Sequence, residues 1–420
     1  MERKMFERFL TKFIKTGSLT IVGARGRILR IGDTADIAQQ RIVLRLKHPW
    51  TAFKIALRPA LYFGEAYMDG TLMIEQGSLW DLFELCGRNL AKRRSRRCLG
   101  LSSLTRALAR RFQQRNSRFM ARRNVAHHYD LSEVLFRSFL DRDLQYSCAY
   151  FRQPSLSLED AQAAKKRHII AKLLLDTGQR ILDIGCGWGG LAIMIAESAA
   201  VQISAITLSK EQLNVARKRA SEANVDHKID FALLDYREVR GSFDRIVSVG
   251  MFEHVGMPNY LAFFAKIASL LNEDGVALIH SIGRMDGPGL TQVWTRKYIF
   301  PGGYIPALSE VLPAIERAGL WVTDVEILRL HYAETLRAWR ERFLSNLTLI
   351  RAAYDDRFCR MWEFYLAGSE MAFRYDGLMV FQLQLAKRPD TVPLTRDYMF
   401  DAERTSTNVR SVSIPKYERS

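Results

Sequence analysis

Apolar and polar positions alternate in two rhythms along the chain. Phe6, Phe9, Leu10, Phe13 and Ile14 recur at helical spacing, with Lys4, Arg8, Lys12 and Lys15 between them. Short runs with period-two alternation and glycine turns follow: LTIVG, GRILRIG and RIVLRLKH. An apolar stretch, FGEAYMDGTLMIEQGSL, leads into a helix through WDLFEL. Residues 1–85 therefore predict a small N-terminal α+β domain. From about Asn124 the rhythm changes to strand, helix, strand. RILDIG, ISAITL, IDFALL, FDRIVSVG and GVALIHSIG are apolar runs separated by helical intervals. That order predicts a parallel sheet with right-handed crossovers, helices on both faces and a ligand at the carboxyl ends of the strands. WVTDVEIL and LMVFQLQL supply two later strands. The interval between them, Tyr332–Tyr375, predicts helices rich in aromatics: Trp339, Phe343, Phe358, Trp362, Phe364, Tyr365 and Phe373. Residues 389–420 read as a loose polar tail.

Composition is that of a globular chain, 48% hydrophobic and 25% charged over 420 residues, room for two or three domains. Charge is the departure: 62 Lys and Arg stand against 45 Asp and Glu, a formal +17. Thirteen of those cations fall between Arg88 and Arg123, where there is no acid, making 86–123 a basic connector. Such a segment suits a polyanion, either nucleic acid or an anionic membrane surface, or is a solvated linker. Cys86, Cys98, Cys148, Cys186 and Cys359 are scattered without a C-x-x-C pair, which argues against a disulfide scaffold and a cysteine metal site and predicts a reducing compartment. No metal site is expected. The N-terminus has no uncharged core of signal-peptide length, and no run of 18 residues is continuously apolar. Leu191–Leu208 comes nearest and reads as a helix end followed by a strand. A cytoplasmic, non-spanning protein is the expectation.

The strongest local chemistry lies at Asp183-Ile-Gly185-Cys-Gly187-Trp-Gly189-Gly190, where a strand breaks into glycines just before a helix. Gly185 and Gly187 let backbone approach a ligand, and the helix presents free amides. The string fits both a dinucleotide fingerprint and a methyltransferase loop. Asp183 precedes the first glycine by two, and the second strand ends in Thr207-Leu-Ser209 without the acid that would hold an NAD ribose. S-adenosylmethionine is therefore favoured over NAD, with Asp235 placed for an adenine amine. The fourth strand leads into Ser248-Val-Gly-Met-Phe-Glu253-His254-Val-Gly256, and the next is read as ending in His280. Neither the Asn/Asp-Pro-Pro-aromatic loop of amino methylation nor the Pro-Cys of cytosine methylation stands there. A carboxylate and imidazoles at one sheet edge are candidate ionisable groups. Asp130 and Glu133 also spell a helix-start capping box.

Taken together, HHYDLS, LQYSCAYF, LDIGCGWGGLA, ITLSKEQ, FDRIVSVGMFEHVG, LIHSIG, KYIFPGGYIP and HYAETLRAWRERF resemble the cyclopropane-fatty-acyl-phospholipid synthase family over most of Asn124–Lys387. The N-terminal region is similar, more weakly, to the lipid-associated domain of the bacterial phospholipid enzymes, a domain the mycolic-acid branch lacks. The resemblance implies a Rossmann-like class I methyltransferase domain over 124–388. It implies methylene transfer from S-adenosylmethionine to a cis double bond of a membrane phospholipid acyl chain, through a carbocation sheltered by aromatic faces. It implies a bound bicarbonate as base, held by residues matching Cys148, Glu253, His280, Ile282 and Tyr332. Cys148 reads as a packed residue offering its backbone rather than as a nucleophile. Cofactor contacts implied by motif are Tyr146, Ser147, Gly185, Gly187, Thr207 and Gln212, with Asp183, Asp235 and Tyr236 beside them. The expected partners are anionic phospholipids with unsaturated acyl chains, met at the inner membrane face, and the family suggests a homodimer. Three other readings stay open: a relative giving methyl-branched or methylene chains, a basic nucleic-acid methyltransferase, and a non-catalytic lipid-binding protein. The absence of an RNA-binding signature weighs against nucleic acid, and the retention of Glu253 and His280 weighs against loss of catalysis.

Overall fold

The computed structural model describes residues 2–32, 42–94 and 132–408. The basic connector beyond Arg94, Cys98, the HHYD motif with Asp130, and the chain after Asn408 lie outside the described residues.

The N-terminal unit begins with α1 (Glu2–Phe13) and carries strands β1 (Ser18–Val22), β2 (Ile28–Gly32), β3 (Ile42–Leu46) and β4 (Leu72–Gln76) in the order β2-β1-β3-β4. Helices α2 (Pro49–Leu57) and α3 (Pro59–Met68) each start on a proline, whose missing N–H costs a first turn nothing. The alternate residues Ile42, Leu44 and Leu46 face a core shared with Phe6, Ile55, Tyr67, Leu82 and Phe83. Helix α4 (Leu79–Arg94) runs unbroken through Leu85, so the boundary drawn there falls inside one helix.

In the larger unit, α5 (Glu133–Phe139) and α6 (Leu158–Leu173) precede the sheet. Strand β5 (Arg180–Ile184), α7 (Gly190–Ser198), β6 (Gln202–Thr207), α8 (Lys210–Glu222), β7 (Ile229–Leu233) and β8 (Phe243–Val249) then alternate. They are followed by α9 (Tyr260–Leu270), β9 (Leu271–Arg284), α10 (Val293–Tyr298), α11 (Leu308–Arg317) and β10 (Trp321–Ile327). Helices α12 (His331–Ser345), α13 (Leu347–Ala353) and α14 (Asp356–Tyr375), strand β11 (Leu378–Ala386) and α15 (Asp397–Asn408) complete the unit. The strand order is β10-β11-β9-β8-β5-β6-β7. The sheet is mixed: β11 pairs antiparallel with both β9 and β10, while the other pairings are parallel. Central strands β5, β8 and β11 are buried almost throughout because helices cover both faces. One face packs Phe263, Phe264 and Ile267 of α9 and Val311 and Ile315 of α11; the other packs Ile169 and Leu173 of α6, Ile195 of α7 and Ala216 of α8. Leu191–Leu208 divides into α7 and β6, as its pattern predicts.

Three readings need correction. Strand β9 does not end at His280: pairing with β11 carries it four residues further, from Gln382↔His280 to Leu378↔Arg284. Helix α5 starts at Glu133 with Ser132 in the cap position, so Glu133 is the first helical residue rather than the third and does not close a capping box with Asp130. The stretch after Pro389 is not loose throughout, because α15 docks on α6 with Glu403 buried against His168.

The N-terminal unit docks on α14. Phe364 sits among Phe63, Tyr67, Phe83 and Trp294, and the Tyr67 hydroxyl donates to Glu363 Oε2 at 2.8 Å. A Cβ on Gly64 would lie 2.4 Å from the Trp294 indole, and one on Gly87 2.4 Å from Tyr375, so the close approach depends on glycine.

Candidate active site

A cleft opens at the carboxyl ends of the parallel strands, with about 1260 Å³ of empty space that includes its opening to solvent. Tyr146, Ser147, Asp183, Gly185, Gly187, Thr207, Gln212, Asp235 and Tyr236, from four separate stretches of chain, all line it. Parallel strands end together, which brings these stretches to one edge. Gly185 and Gly187 have φ of 84° and 54°. A Cβ on Gly187 would meet no protein atom within 4 Å, so this backbone borders open space where a ligand can approach. Gly189 caps α7, directing that helix's first amides toward the same edge. Thr207 donates through Oγ1 to Gln212 Oε1 at 2.9 Å, joining the end of β6 to the start of α8. Asp235 accepts from the Arg237 guanidinium at 2.6 and 2.8 Å. His254, read from the sequence as an imidazole at this sheet edge, and Trp188 of the glycine turn also line the cleft. Sequence reasoning missed Lys165, Gln145 and Arg237, which line it too; only the packing of α6 against the glycine turn brings Lys165 there.

The residues expected to hold a base lie outside this lining, in the layer behind it. Cys148 follows Ser147 of the cleft wall, and Glu253 precedes His254. The Ile282 amide donates to Glu253 Oε1 at 2.7 Å, while Oε2 is enclosed and, among the described residues, has no hydrogen-bond partner. Burial pushes the Glu253 carboxyl up to about 7, against the opposing effect of that amide. His280 shares a β9 face with Ile282 and is 2% exposed. Burial lowers its ring to about 3, so it is neutral at physiological pH. Its Nδ1 lies 3.1 Å from Gln382 Nε2; with that amide donating, the ring proton sits on Nε2. Burial raises the Cys148 thiol well above the ordinary thiol range, which removes it as a nucleophile at neutral pH.

Cys148 and Tyr332 belong to an aromatic core against which Ile282 packs. Helices α12 and α14 supply Trp339, Phe343, Trp362, Tyr365 and Phe373, and the rings of Phe136, Phe139 and Trp188 close the same layer. Tyr146 joins this core to the cleft: its ring stacks on Trp339 at 5.2 Å and its hydroxyl meets that of Tyr365 at 2.8 Å. The Cys148 loop is tied to α12 by Ala149 N donating to Thr335 Oγ1 at 3.0 Å and Phe151 N donating to His331 Nδ1 at 3.0 Å.

A seven-stranded sheet with one reversed strand, a glycine turn after its central strand and a cleft over that turn together define a class I methyltransferase. Solved structures place the chain further. The cyclopropane synthase MmaA2 from Mycobacterium tuberculosis superposes with a TM-score of 0.61 at 33% identity, over 65% of this chain and 99% of that one. The mycolic acid cyclopropane synthase CmaA1, solved with SAH and CTAB, gives 0.60 at 34% identity over 63% and 97%. The chain is similar to a probable fatty acid methyltransferase of Pseudomonas putida, 41% identical over 66% of this chain and 73% of that protein. It is also similar to the cyclopropane-fatty-acyl-phospholipid synthase of Escherichia coli, 40% identical over 62% and 66%. The mycolic acid cyclopropane synthetase family matches residues 116–383. This chain belongs to that family and is an S-adenosylmethionine-dependent methyltransferase.

Proposed function

We propose that the protein transfers a methylene group from S-adenosylmethionine to the cis double bond of an unsaturated acyl chain in a membrane phospholipid, closing a cyclopropane ring. The observation that carries the reading is Glu253: one oxygen is fixed by the amide of Ile282, which itself packs on the aromatic layer, and the other is enclosed without a partner among the described residues. An alkene needs no deprotonation before it attacks a sulfonium methyl, so the cleft requires no base at its own wall. The cation that follows needs shelter from water and a nearby proton acceptor. Tyr146, Trp339 and Trp362 present faces suited to the first need.

Bicarbonate fits the second. The unpartnered Glu253 Oε2 can accept its hydroxyl proton, and the neutral His280 ring and the Tyr332 hydroxyl are of the donor type it needs. Cys148 would offer only backbone. Because the Ile282 amide is engaged by Glu253, its part is to fix that carboxylate. When bound, the anion supplies a base for the proton released on ring closure; the protein's residues exclude water and hold Glu253 in register.

A second reading has a specific observation behind it. The P. putida relative is named a probable fatty acid methyltransferase, and a Mycobacterium tuberculosis relative, 42% identical over 65% of this chain and 66% of its own, a tuberculostearic acid methyltransferase. Such an enzyme would leave a methyl branch or methylene without closing a ring. Mass spectrometry of lipids from cells expressing the protein decides, since fragmentation separates a ring from a branched or methylene chain. Abundant ring product supports the first reading, and branched chains alone would replace it.

No helix among the described residues is long and apolar enough to cross a membrane. Access to a bilayer substrate therefore calls for surface docking, and α2 supports it. Trp50 and Leu57 are 62% and 59% exposed beside exposed Lys47, Lys54 and Arg58, in a stretch without an acid from Arg41 to Gly64. An apolar edge rimmed by cations suits an anionic lipid surface. We place docking there and on the basic connector, of which the described residues include only the α4 end.

A further inference from the structure

The loop from Tyr146 to Phe151 supplies Tyr146 and Ser147 to the cleft wall and Cys148 to the layer behind it, so its position sets both. Its far end rests on an ionisable cluster that the proposed chemistry leaves unused. The Tyr150 ring lies between two imidazoles, stacked on His168 of α6 at 4.3 Å and on His331 of α12 at 5.0 Å. The Tyr150 amide donates to the Ala161 carbonyl of α6, and the Phe151 amide to His331 Nδ1, each at 3.0 Å.

Their neighbours hold the two rings in opposite protonation states. His168 is buried and meets a carboxylate at each nitrogen: Glu403 of α15 at Nδ1 and Glu326 of β10 at Nε2, the latter at 2.6 Å. An ionised carboxylate only accepts, so a ring bonded to two of them carries both protons and a positive charge. Burial opposes that charge, but the two carboxylates outweigh it and raise the ring above its ordinary value. His331 accepts the Phe151 amide through Nδ1, which requires a neutral ring, and burial lowers it. The other charges around the pair are matched. Lys172 also binds Glu326 and lies 3.6 Å from Asp324, which Arg396 meets at 3.0 Å. Arg152 stands 4.0 Å from Glu403, and Arg329 and Glu334 act on His331 in opposite senses. Tyr150, pushed up to about 12 by burial, and His280 are neutral at physiological pH.

We propose that His168 and His331 are positioning residues that clamp Tyr150 and so hold the Tyr146–Phe151 loop against the cleft while His168 is charged and His331 neutral, with helix α15 setting that state through Glu403. The clamp acts on the loop and not on the acyl chain, so it is independent of whether a ring or a branch is formed. Deprotonating His168 would leave two buried carboxylates sharing one ring proton. Protonating His331 would remove the acceptor of the Phe151 amide and put a second cation on Tyr150. The loop is therefore held between two limits. His331, lowered, gives way as pH falls below the ordinary histidine value of 6.5, and His168, raised, gives way as pH rises above it.

The test is hydrogen exchange read by mass spectrometry on the full-length protein, corrected for the intrinsic pH dependence of exchange. In the parent, protection of residues 148–152 should hold across a plateau and fall at least about tenfold on both the acid and the alkaline side, while the amides of β5 keep theirs. Glu403→Gln removes one charge from His168 and should move the alkaline fall about 1–3 pH units lower. His331→Asn keeps an acceptor oxygen but cannot be protonated, and it should abolish the acid fall. Profiles identical in the parent and both variants would show that the cluster merely anchors α15 and would overturn the clamp. Histidine ring NMR of the parent tests it without any variant: His168 should titrate above 6.5 and His331 below it, and the opposite order would overturn the clamp.

Discussion

Two regions of the catalytic unit meet at Tyr146 and Trp188 and differ in what they are built from. The cleft is walled by turns, backbone amides and charged groups: Lys165, Asp183, Asp235 and Arg237 all border it. The layer behind it is built from rings and keeps its few ionisable groups neutral or isolated, with His280 lowered to about 3 and the Cys148 thiol raised. A cleft of the first kind recognises a charged cofactor by matching charge to charge. A layer of the second kind excludes water, which is what the proposed cation requires, and recognises nothing by charge. Tyr146, which stacks on Trp339 while lining the cleft, and Trp188, which belongs to both, join environments that could not share one set of side chains. The carboxyls show the division. Asp183 and Glu253 are both pushed to about 7 by burial, yet one lines the cleft and the other, behind the cleft lining, is tied to the β9 backbone at Ile282.

The comparison can be broken at several points. The largest effect is expected at Glu253. Glu253→Gln should reduce turnover about 10²–10⁴-fold, the range of a lost general-base contribution, with S-adenosylhomocysteine affinity held within about threefold. Unchanged turnover when chemistry limits the rate would remove Glu253 from the reaction. Next is Trp362, 1% exposed in the aromatic layer. Trp362→Ala should lower folding stability by about 3–5 kcal/mol in denaturant unfolding. A cost below about 1 kcal/mol would mean that the layer is not a packed core.

Gly187→Val should act mainly on binding, weakening S-adenosylhomocysteine at least about tenfold, with a backbone-strain cost to stability of about 1–3 kcal/mol, less than that of Trp362→Ala. The valine Cβ enters open cleft space from a backbone at φ 54°. Intact affinity in calorimetry would place the cofactor elsewhere.

A smaller effect follows from the raised carboxyls. Unfolded Asp and Glu titrate near 3.8 and 4.5, whereas Asp183 and Glu253 in the folded, ligand-free protein titrate near 7. Between those values the native state binds more protons than the unfolded state, so their contribution to stability falls as pH rises from about 4 to 7. Denaturant midpoints across that range should show a shallower decline in Asp183→Asn, and an identical slope would contradict the burial of that carboxyl. Smallest is the Tyr146–Tyr365 contact, where Tyr365→Phe should cost about 0.5–1.5 kcal/mol.

The cleft was legible in the sequence because its chemistry is local. A strand that breaks into Gly185 and Gly187 and then starts a helix needs few contacts to become a ligand turn, and Thr207 and Asp235 sit where apolar runs end. Alternation of apolar runs likewise prescribes the sheet, its crossovers and its covered faces, since burial on both sides demands continuous apolar strands. What the tertiary structure decided is non-local. The reversal of β11 carried β9 past His280, which period-two patterning cannot register because it is blind to the direction of a neighbour. Glu253 acquired its partner from a strand 29 positions away. Helix α15, in a polar stretch, is fixed by Glu403 reaching His168 across 235 positions, a pairing no local pattern announces. Lys165 reads in sequence as one of many lysines on a charged helix. Only the packing of α6 against the glycine turn buries it at the cleft.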